Sequence, residues 1–450
     1  MAHVPPHDEV PVHDIVGVGF GPSNLALAIA LTEQAGTTGP GEVKRPLSAV
    51  FLERQQSFGW HRGMLLDDAT MQVSFLKDLV TLRNPTSRFS FLAYLHAKDR
   101  LVDFINHKTL YPLRIEYHDY LEWAAAQVDN LVRYGHEVIG VRPVTTEDGI
   151  ELVDVLVDTG QGTTVHRARN LVLATGLTPR LPAGVITGDR IWHSRDLLFN
   201  LARRTGPAPS RFVVVGAGQS AAEVTAHLHE RFPDAEVCAV FSRYGYSPAD
   251  DSSFANRIFD PGAVDDYFDA PAEVKTQLMD YHGNTNYSVV DGDLIAELYR
   301  RSYREQVLGQ SRLRLLNTSR LRAAVSHPDG VQVTIETLIT GQPAVLDADV
   351  LICATGYDPV DPATMLGELS RYCHRDEFGR LRLDRDYRVC TSEELRCGIY
   401  LQGGTEHSHG ISSSLLSNGS VRAAEILESI VAHRDLANSV PAYPAGALRA

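Results

Sequence analysis

The amino-acid sequence predicts an α/β protein with two Rossmann-like dinucleotide-binding domains, one inserted into the other. A glycine-rich loop follows an apolar strand and precedes a helix-like pattern twice, in DIVGVGFGPSNLALAIAL and in FVVVGAGQSAAEVTAHL. An apolar strand ending in Ala-Thr-Gly follows each loop, in LVLATG and LICATG. One such loop alone is a weak sign of a nucleotide site, but two in this order indicate two dinucleotides.

The composition narrows the class of protein. The chain has 450 residues, enough for two or three domains, and a net charge of −14, which argues against nucleic-acid and anionic membrane surfaces. Five cysteines without a CxxC pair argue against a disulfide framework or a zinc site. Because the sequence shows no signal peptide and no apolar run of the ~20 residues that span a membrane, we expect a cytoplasmic protein.

The first glycine loop is expected to hold a diphosphate on backbone N–H groups at the start of the following helix. If Gly17 is the first fingerprint position, the third falls on Pro22 instead of Gly or Ala. Proline suits the first helical turn but removes one N–H donor, so the residues after it are expected to contribute more to diphosphate binding. The predicted cradle consists of Gly17, Gly19, Gly21, Pro22, Ser23 and Asn24.

An acidic residue ends the next predicted strand, 48–52. Glu53 at such a strand end commonly binds a ribose hydroxyl. It lies 32 residues after Gly21, further than the usual ~20, and the loop GTTGPGEVKRP supplies the extra length.

The second glycine loop fits the G-x-G-x-x-A fingerprint at Gly216, Gly218 and Ala221. Its next strand is followed by Arg243 rather than by an acidic residue, which favours a 2′-phosphate and hence NADPH. An ordinary surface arginine is an equally good interpretation. Near the diphosphate we expect Gln219, Ser220 and Glu223, although the glutamate could instead support the helix N-terminus.

Several stretches resemble the flavin-dependent N-hydroxylating monooxygenases, especially those that act on L-ornithine. They run in order over nearly the whole chain: GVGFGPSNLA, MQVSFLKDLVTLRNPTSRFSFLAYL, GAGQSAAE, YSPADDSSFANRIFDP, GNTNYSVVD, ATGYDP and HGISSSLLS. The stretch ITGDRIWHS only loosely matches the F-x-G-x-x-x-H signature of ketone-oxygenating relatives, because Gly188 and His193 lie one residue too far apart. The resemblance therefore favours amine over ketone oxygenation.

The resemblance implies that the first cradle binds FAD and the inserted one NADPH. It implies that NADPH reduces FAD, that O2 adds at the flavin C4a to give a hydroperoxyflavin, and that the side-chain amine of L-ornithine takes the distal oxygen. Because the flavin carries the chemistry, no side chain is expected to be catalytic. The product would be N5-hydroxy-L-ornithine, for hydroxamate siderophore or related nonribosomal peptide biosynthesis.

The resemblance also assigns substrate contacts. Lys77 and Asn256 match positions that bind the substrate carboxylate, and Asn286 matches one that touches both the nicotinamide ribose and the substrate. Without the resemblance, Lys77 is interpreted as a solvated lysine paired with the adjacent Asp78, and the asparagines are turn or capping residues. A carboxylate site favours an amino acid over a diamine.

Further matches lie near the flavin. They are Trp60, His61, Gln72, Leu416 and Ser417, with Gln72 and Ser417 also near the substrate. By residue type alone, Trp60 could be a core aromatic residue, and Leu416 and Ser417 a core residue and a helix cap. The neighbouring Glu406, His407 and His409 predict no metal, because they are nearly contiguous and have no distant partner.

The order of motifs divides the chain into domains. We expect the first part of an FAD domain at 10–195, an NADPH domain at 196–345 with a helical substrate-binding segment at 246–305, the closing FAD part at 346–435, and flexible tails at 1–9 and 436–450. The rival functions are an L-lysine N6-hydroxylase or diamine N-hydroxylase, a ketone-oxygenating flavin monooxygenase, and a nucleotide-binding regulator without redox turnover. The resemblance also implies a homo-oligomer, a tetramer.

Overall fold

The computed structural model of the chain describes residues 10–35, 45–147 and 149–439. The predicted tail 1–9, most of the loop at 36–46 and residues 440–450 lie outside these ranges. The last helix extends to Ser439, beyond the predicted end of the closing segment at 435. Within the described ranges, no helix is long and apolar enough to cross a membrane.

Strands and helices alternate along most of the chain. The strands are β1 Val12–Val18, β2 Ala49–Glu53, β3 Val132–Tyr134, β4 Glu137–Thr146, β5 Gly149–Asp158, β6 Thr163–Leu173, β7 Leu177–Pro179, β8 Ile191–His193, β9 Arg211–Val215, β10 Glu236–Val240, β11 Leu313–Leu316, β12 Ser319–Ser326, β13 Val331–Thr337, β14 Pro343–Ala348, β15 Val350–Cys353, β16 Tyr357–Pro359 and β17 Gly398–Leu401. The α-helices are α1 Pro22–Ala35, α2 Phe91–Ala97, α3 Leu101–His107, α4 Arg114–Ala126, α5 Leu197–Arg203, α6 Gln219–Arg231, α7 Gly262–Asp269, α8 Ala272–His282, α9 Gly292–Val307, α10 Pro362–Leu366, α11 Glu406–His409 and α12 Gly419–Ser439. Short 3-10 helices lie at Arg62–Met64, Asp129–Leu131, Ser194–Asp196, Ala255–Phe259, Gly283–Thr285, Gly367–Tyr372, Ile411–Ser414 and Leu416–Asn418.

The first sheet joins the two ends of the chain. Its parallel strands have the order β3–β2–β1–β6–β17, so the closing segment completes the sheet from which the first glycine loop emerges. β6 can do this because its first half pairs antiparallel with β5, while its last residues pair with β17. We call this sheet and its helices the first unit. The arrangement confirms that a second unit is inserted into it.

The second unit is built on a parallel sheet of order β11–β10–β9–β15–β8. Because β8 and β15 pair within this sheet, it extends from residue 191 to residue 353, wider than the predicted domain 196–345. Sequence reasoning misplaced these edges because IWH and VLIC are short apolar runs that suit either sheet. The antiparallel strands β7 and β16 pair with each other where the chain crosses between the units.

Two features of the packing position the site. α1 is buried along Asn24–Leu31 because it lies between the first sheet and α12, and a helix that is apolar on all faces needs such surroundings. The segment 246–305 is helical, as predicted: α9 packs on α6, and Ala255–Phe259 contacts Ile411–Ser414 of the closing segment. This segment therefore bridges the second unit and the end of the first.

Candidate active site

The first glycine loop contacts the backbone of the Ala-Thr-Gly motif that follows β6. Val18 ends β1, and its carbonyl accepts a hydrogen bond from the N–H of Ala174 at 2.9 Å. Gly19 follows with φ +81°, and a Cβ there would lie 2.5 Å from the Ala174 carbonyl oxygen. Gly21 faces open space, with no protein atom within 4 Å of a Cβ built on it. The loop thus requires glycine at position 19 and leaves room for a ligand at position 21.

The second glycine loop repeats this design. Val215 ends β9 and accepts from the N–H of Ala354 at 2.8 Å. Gly216 has φ +147°, and a Cβ there would lie 2.2 Å from the Ala354 carbonyl oxygen. A Cβ at Gly218 would meet the backbone of Ser288 at 3.4 Å, an ordinary contact. The repeated pairing explains why both motifs occur twice in the sequence.

The shared hydrogen bonds correct the register of the first fingerprint. The third fingerprint position lies five residues after the glycine that follows the strand. In the second loop it holds Ala221, and in the first loop it holds Asn24. The prediction that Pro22 occupies this position is therefore wrong. Gly17 is not a loop residue, because it lies in β1, pairs with Phe51 of β2, and a Cβ there would lie 2.3 Å from the Phe51 ring. The equivalent pairs are Gly19 and Gly216, Gly21 and Gly218, and Asn24 and Ala221.

Asn24 is fully buried and uses its amide within the protein. Its Nδ2 donates to the carbonyls of Gly19 at 2.7 Å and Val18 at 3.5 Å, while its Oδ1 accepts from Gln402 Nε2 at 2.9 Å. We therefore correct the prediction that this side chain binds a cofactor: it holds the loop. Pro22 begins α1, where its missing N–H leaves no helical hydrogen bond unmade.

Glu53 ends β2 and is buried against the same loop. Its Oε2 accepts from the N–H of Phe20 at 2.7 Å, and its Oε1 accepts from the N–H of Gln55 at 2.8 Å. The carboxylate thus anchors the first glycine loop, since Phe20 lies between its two glycines. A ribose contact by Glu53 remains a prediction.

Buried polar atoms without partners mark the place where a ligand fits. Within the described part of the chain, Ser417 Oγ, both amide atoms of Asn418 and Ser420 Oγ have no hydrogen-bond partner. They lie in the 3-10 helix before α12 and in the first turn of α12, and a small cavity lined by Ser420 also borders Pro22, Ser23 and Leu416 of the predicted FAD site. Because buried polar groups rarely stay unpaired, a polar cofactor such as FAD fits here.

The aromatic residues predicted near the flavin lie together. Trp60 packs edge-to-face on His61 at 4.8 Å between ring centroids and contacts the buried Tyr117. His61 has φ +48°, and burial together with nearby Arg114 lowers its pKa to about 4, so it is neutral at pH 7. Gln72 is exposed. The neutral imidazole of His61 therefore lies beside the aromatic rings of Trp60 and Tyr117.

Lys77 is not paired with the acidic residue beside it. Asp78 is buried, and its carboxylate accepts backbone N–H groups from Val80 at 3.0 Å, Thr81 at 2.7 Å and Phe91 at 2.7 Å. Among the described residues, no hydrogen bond or ion pair includes the Lys77 ammonium, which is half-buried. The interpretation of Lys77 as half of a salt bridge with Asp78 is therefore wrong, and the ammonium is available to an anion.

The two predicted asparagine contacts lie in the helical bridging segment. Asn256 donates from Nδ2 to the carbonyl of Asp251 at 2.7 Å, so one side of its amide holds a turn. Asn286 follows the 3-10 helix Gly283–Thr285, and the hydroxyl of the next residue, Tyr287, donates to Glu406. No hydrogen bond within the described ranges joins Lys77 to either asparagine.

The Glu223 carboxylate is bound by groups of the protein itself. It is buried in a bidentate ion pair with Arg114, at 2.7 and 2.8 Å, and accepts a third bond from Gln219 Nε2 at 3.1 Å. Gln219 in turn accepts from the N–H of Asp291 at 2.9 Å. Both side chains hold α6 in place, and a contact of either one with a nucleotide remains a prediction. Ser220 is half-buried at the start of α6 and remains a predicted diphosphate contact.

Arg243 lies beside the second cradle. Its Nη1 donates to Ser247 Oγ at 3.1 Å and to the carbonyl of Ser288 at 2.8 Å, and Ser288 is the residue that faces Gly218. Arg243 is therefore not a freely solvated surface residue. Its position is compatible with a 2′-phosphate, which remains a prediction.

The histidines near Glu406 bind the protein backbone. His407 Nε2 is bonded to the Leu381 carbonyl at 2.9 Å, and His409 Nε2 to the Arg385 carbonyl at 3.1 Å. Across the described ranges, no group of three or more His, Cys, Asp or Glu side chains is arranged to hold a metal ion. The histidines thus shape the loop that precedes Leu416.

Sequence reasoning missed three residues that organise the site. Arg114 joins the two units, and Gln402 and Arg422 bring the closing segment onto the first glycine loop. The only signal in the sequence was a lone arginine in the otherwise weakly charged stretch GISSSLLSNGSVRAAEIL. Their roles depend on partners up to 399 residues away, which local patterns do not report.

Comparisons with known proteins agree with this geometry. A family profile described as L-lysine 6-monooxygenase/L-ornithine 5-monooxygenase matches residues 11–359. The L-ornithine N(5)-monooxygenase of Pseudomonas aeruginosa is 40% identical over 429 residues, which cover 94% of each chain.

Two solved structures extend the comparison to the whole fold. The ornithine N-hydroxylase of Kutzneria sp. 744, with reduced FAD, NADP+ and L-ornithine, is 49% identical with a TM-score of 0.90, covering 94% of this chain and 100% of that one. The L-lysine 6-monooxygenase of Pseudomonas syringae is 32% identical with a TM-score of 0.82, covering 94% and 99%.

Proposed function

Because the chain belongs to the L-lysine 6-monooxygenase/L-ornithine 5-monooxygenase family, we propose that it is an FAD- and NADPH-dependent monooxygenase that converts L-ornithine to N5-hydroxy-L-ornithine. Family membership confirms the resemblance stated from the motifs. The observation that carries the proposal is the pair of matched glycine loops, each followed in its sheet by a strand that leads into Ala-Thr-Gly. Lys77, whose ammonium has no partner among the described residues, adjoins Asp78, which lines the cavity beside the first loop.

FAD binds the first cradle in this proposal. The backbone of Gly19, Gly21 and Pro22 and the hydroxyl of Ser23 surround the diphosphate at the N-terminus of α1, where the helix dipole favours an anion. The buried atoms of Ser417 and Asn418 that lack partners pair with polar groups of the cofactor. When bound, FAD supplies the activation of O2 after reduction by NADPH.

NADPH binds the second cradle. Gly216, Gly218 and Ser220 face the diphosphate, and Arg243 receives the 2′-phosphate. Gln219 and Glu223 contribute indirectly, because they fix α6 through Asp291 and Arg114.

The substrate lies between the two cradles, held at its α-carboxylate by Lys77 and Asn256. A desolvated carboxylate without a cation would cost several kcal/mol, and the half-buried Lys77 ammonium is available. Asn286 contacts both the nicotinamide ribose and the substrate, and Gln72 and Ser417 line the path to the flavin. The side-chain nitrogen then points toward the flavin edge.

L-Ornithine is favoured over L-lysine and over a diamine. The chain is 49% identical to the Kutzneria ornithine N-hydroxylase but 32% identical to the P. syringae lysine enzyme. A diamine has no carboxylate for Lys77. Since one methylene changes pocket binding by only about 1–3 kcal/mol, competition between ornithine and lysine is the direct test. NADPH-dependent hydroxylamine formation with each amine decides among the three substrates.

We further propose a cytoplasmic homo-oligomer, a tetramer by family resemblance, working in hydroxamate siderophore or related peptide biosynthesis. Exposed apolar side chains on α2, α3 and the segment into α4 support self-association: Leu92, Val102, Ile105, Leu110 and Leu113. Light scattering of the purified protein measures the oligomeric state, and a monomer at micromolar concentration would exclude the tetramer.

A further inference from the structure

Arg422 is a buried cation without a counter-ion. It lies at the start of α12, is only 2% exposed, and takes part in no ion pair among the described residues. Glu425, one turn further along the helix, is instead bound to Arg385 at 3.0 Å. The hydrogen bonds of Arg422 go to neutral acceptors, including the Ser413 carbonyl. A buried charge without an opposite charge costs several kcal/mol, so the position of Arg422 calls for an anion that the described part of the chain does not provide.

One hydrogen bond of Arg422 sets the direction of the Ser23 hydroxyl. Arg422 Nη2 donates to Ser23 Oγ at 3.1 Å, and because a guanidinium has only donors, the serine oxygen must accept. The Ser23 proton therefore points elsewhere. Ser23 lies two residues after Gly21, the loop position that faces open space, so its hydroxyl can donate to a ligand there.

A second chain of hydrogen bonds runs from Arg422 to the glycine loop. Arg422 Nε approaches Gln402 Oε1 at 3.5 Å, Gln402 Nε2 donates to Asn24 Oδ1 at 2.9 Å, and Asn24 Nδ2 donates to the Gly19 carbonyl at 2.7 Å. The donor-only guanidinium fixes the orientation of both amides in this series. The loop carbonyl is thereby engaged by the protein and does not compete with the anion for donors.

Among the described residues, the second cradle has no equivalent of this network. Its corresponding position is Ala221, whose methyl group packs beneath Gly216 as the usual fingerprint requires. The asparagine at position 24 is therefore a departure in the first cradle alone, and Gln402 and Arg422 accompany it.

We propose that Arg422 is a positioning residue for FAD: its buried charge balances the anionic diphosphate, and its hydrogen bonds orient Ser23 and, through Gln402 and Asn24, hold the first glycine loop. The inference rests on the proposed function, since it requires FAD in the first cradle. It assigns Arg422 no part in the chemical step.

The test compares FAD and NADP+ affinities in Arg422→Met, Arg422→Lys and Ser23→Ala. FAD is titrated into the deflavinated full-length protein by fluorescence quenching, and NADP+ is titrated at saturating FAD. We expect Arg422→Met to weaken FAD binding roughly tenfold or more, Arg422→Lys to recover most of that loss because it keeps the charge, and Ser23→Ala to weaken binding severalfold. NADP+ affinity stays unchanged, and Arg434→Met, on the same helix, leaves both affinities unchanged.

Three results would overturn the inference. They are wild-type FAD affinity in Arg422→Met, equal losses in Arg422→Lys and Arg422→Met, and a parallel loss of NADP+ affinity, which would indicate a general structural role. If Arg422→Met does not fold, Arg422→Lys and Ser23→Ala decide: wild-type FAD affinity in Ser23→Ala, or a tenfold loss in Arg422→Lys, contradicts the proposal. A wild-type protein that binds no FAD would instead refute the proposed function itself.

Discussion

Arg114 and Glu223 form a bidentate ion pair that joins the two nucleotide-binding units, with Nη2 and Oε1 2.7 Å apart. Arg114 begins α4 of the first unit, and Glu223 lies on α6 directly after the second glycine loop. The same guanidinium donates to the carbonyls of Met64 and Thr70, which lie in the segment between His61 and Gln72. The pair therefore fixes the position of the second cradle relative to the predicted flavin site.

Breaking this ion pair should destabilise the protein. Removing one partner of a buried pair leaves the other uncompensated, at a cost of about 3–5 kcal/mol. We expect Glu223→Gln to lower the free energy of unfolding by roughly 3 kcal/mol in urea titrations. The exposed pair of Arg62 and Glu122 is the control, and Glu122→Gln should cost less than about 1 kcal/mol. Equal losses in the two variants would contradict the structural role of the buried pair.

The two glycines of the first loop should respond differently to alanine. At Gly19, φ is +81° and the added Cβ would lie 2.5 Å from the Ala174 carbonyl oxygen, so Gly19→Ala should lower the melting temperature of the protein before any cofactor is added. At Gly21 the same methyl group meets no protein atom within 4 Å, so Gly21→Ala should keep the melting temperature and lose FAD affinity. Thermal scans with and without FAD distinguish the two effects, and tight FAD binding by Gly21→Ala would show that the loop faces no ligand.

Lys77→Ala should raise the KM for L-ornithine at least tenfold, because it removes the cation expected to bind the α-carboxylate. The rate at which NADPH reduces the flavin should stay within about twofold of wild type, since the Lys77 ammonium contacts neither cradle. Stopped-flow absorbance measures reduction, and steady-state assays measure KM. Lys98→Ala is the control, because Lys98 is paired with Asp119 on the surface. Parallel damage to flavin reduction and to substrate binding would refute the assigned role of Lys77.

The lowered pKa of His61 predicts that the protein loses stability in mild acid. Its pKa in the folded state is lowered to about 4 by burial and by Arg114, below the 6.5 of an unfolded histidine. The unfolded chain therefore binds a proton first, and the stability present above pH 6.5 is lost as the pH falls toward 4, by up to about 3 kcal/mol. His61→Asn, which tolerates the left-handed backbone at this position, should flatten the urea stability profile between these pH values. An unchanged slope would contradict the assignment.

Local patterns were sufficient to predict the repeated loops and the inserted architecture. Each loop can be recognised in a short stretch of sequence, because an apolar strand, glycines and an apolar helix follow one another. The register of the first loop was not predictable in this way, because VGVGFG offers glycines at 17, 19 and 21 and only the end of β1 shows which of them begins the turn. Pro22 was therefore counted as the third position in place of Asn24.

The hydrogen-bond and ion-pair partners of the site's side chains could not be predicted from the sequence, for a related reason. Lys77 and Asp78 are adjacent in the chain, yet the Asp78 carboxylate accepts hydrogen bonds from backbone N–H groups of Val80 and of Phe91 at the start of α2. Glu223 was expected near the nucleotide or in support of its helix, and neither alternative indicated its ion pair with Arg114, 109 residues away. Such pairings depend on how distant elements pack, and a single sequence contains no direct record of that packing.

The most direct test of the account is the purified, FAD-loaded protein incubated with NADPH and O2 and assayed for N-hydroxylated product by mass spectrometry. We predict that L-ornithine yields N5-hydroxy-L-ornithine, with a kcat/KM well above that for L-lysine, and that putrescine yields little product. NADPH oxidation that L-ornithine does not stimulate, with no hydroxylated amine formed, would contradict the proposed function.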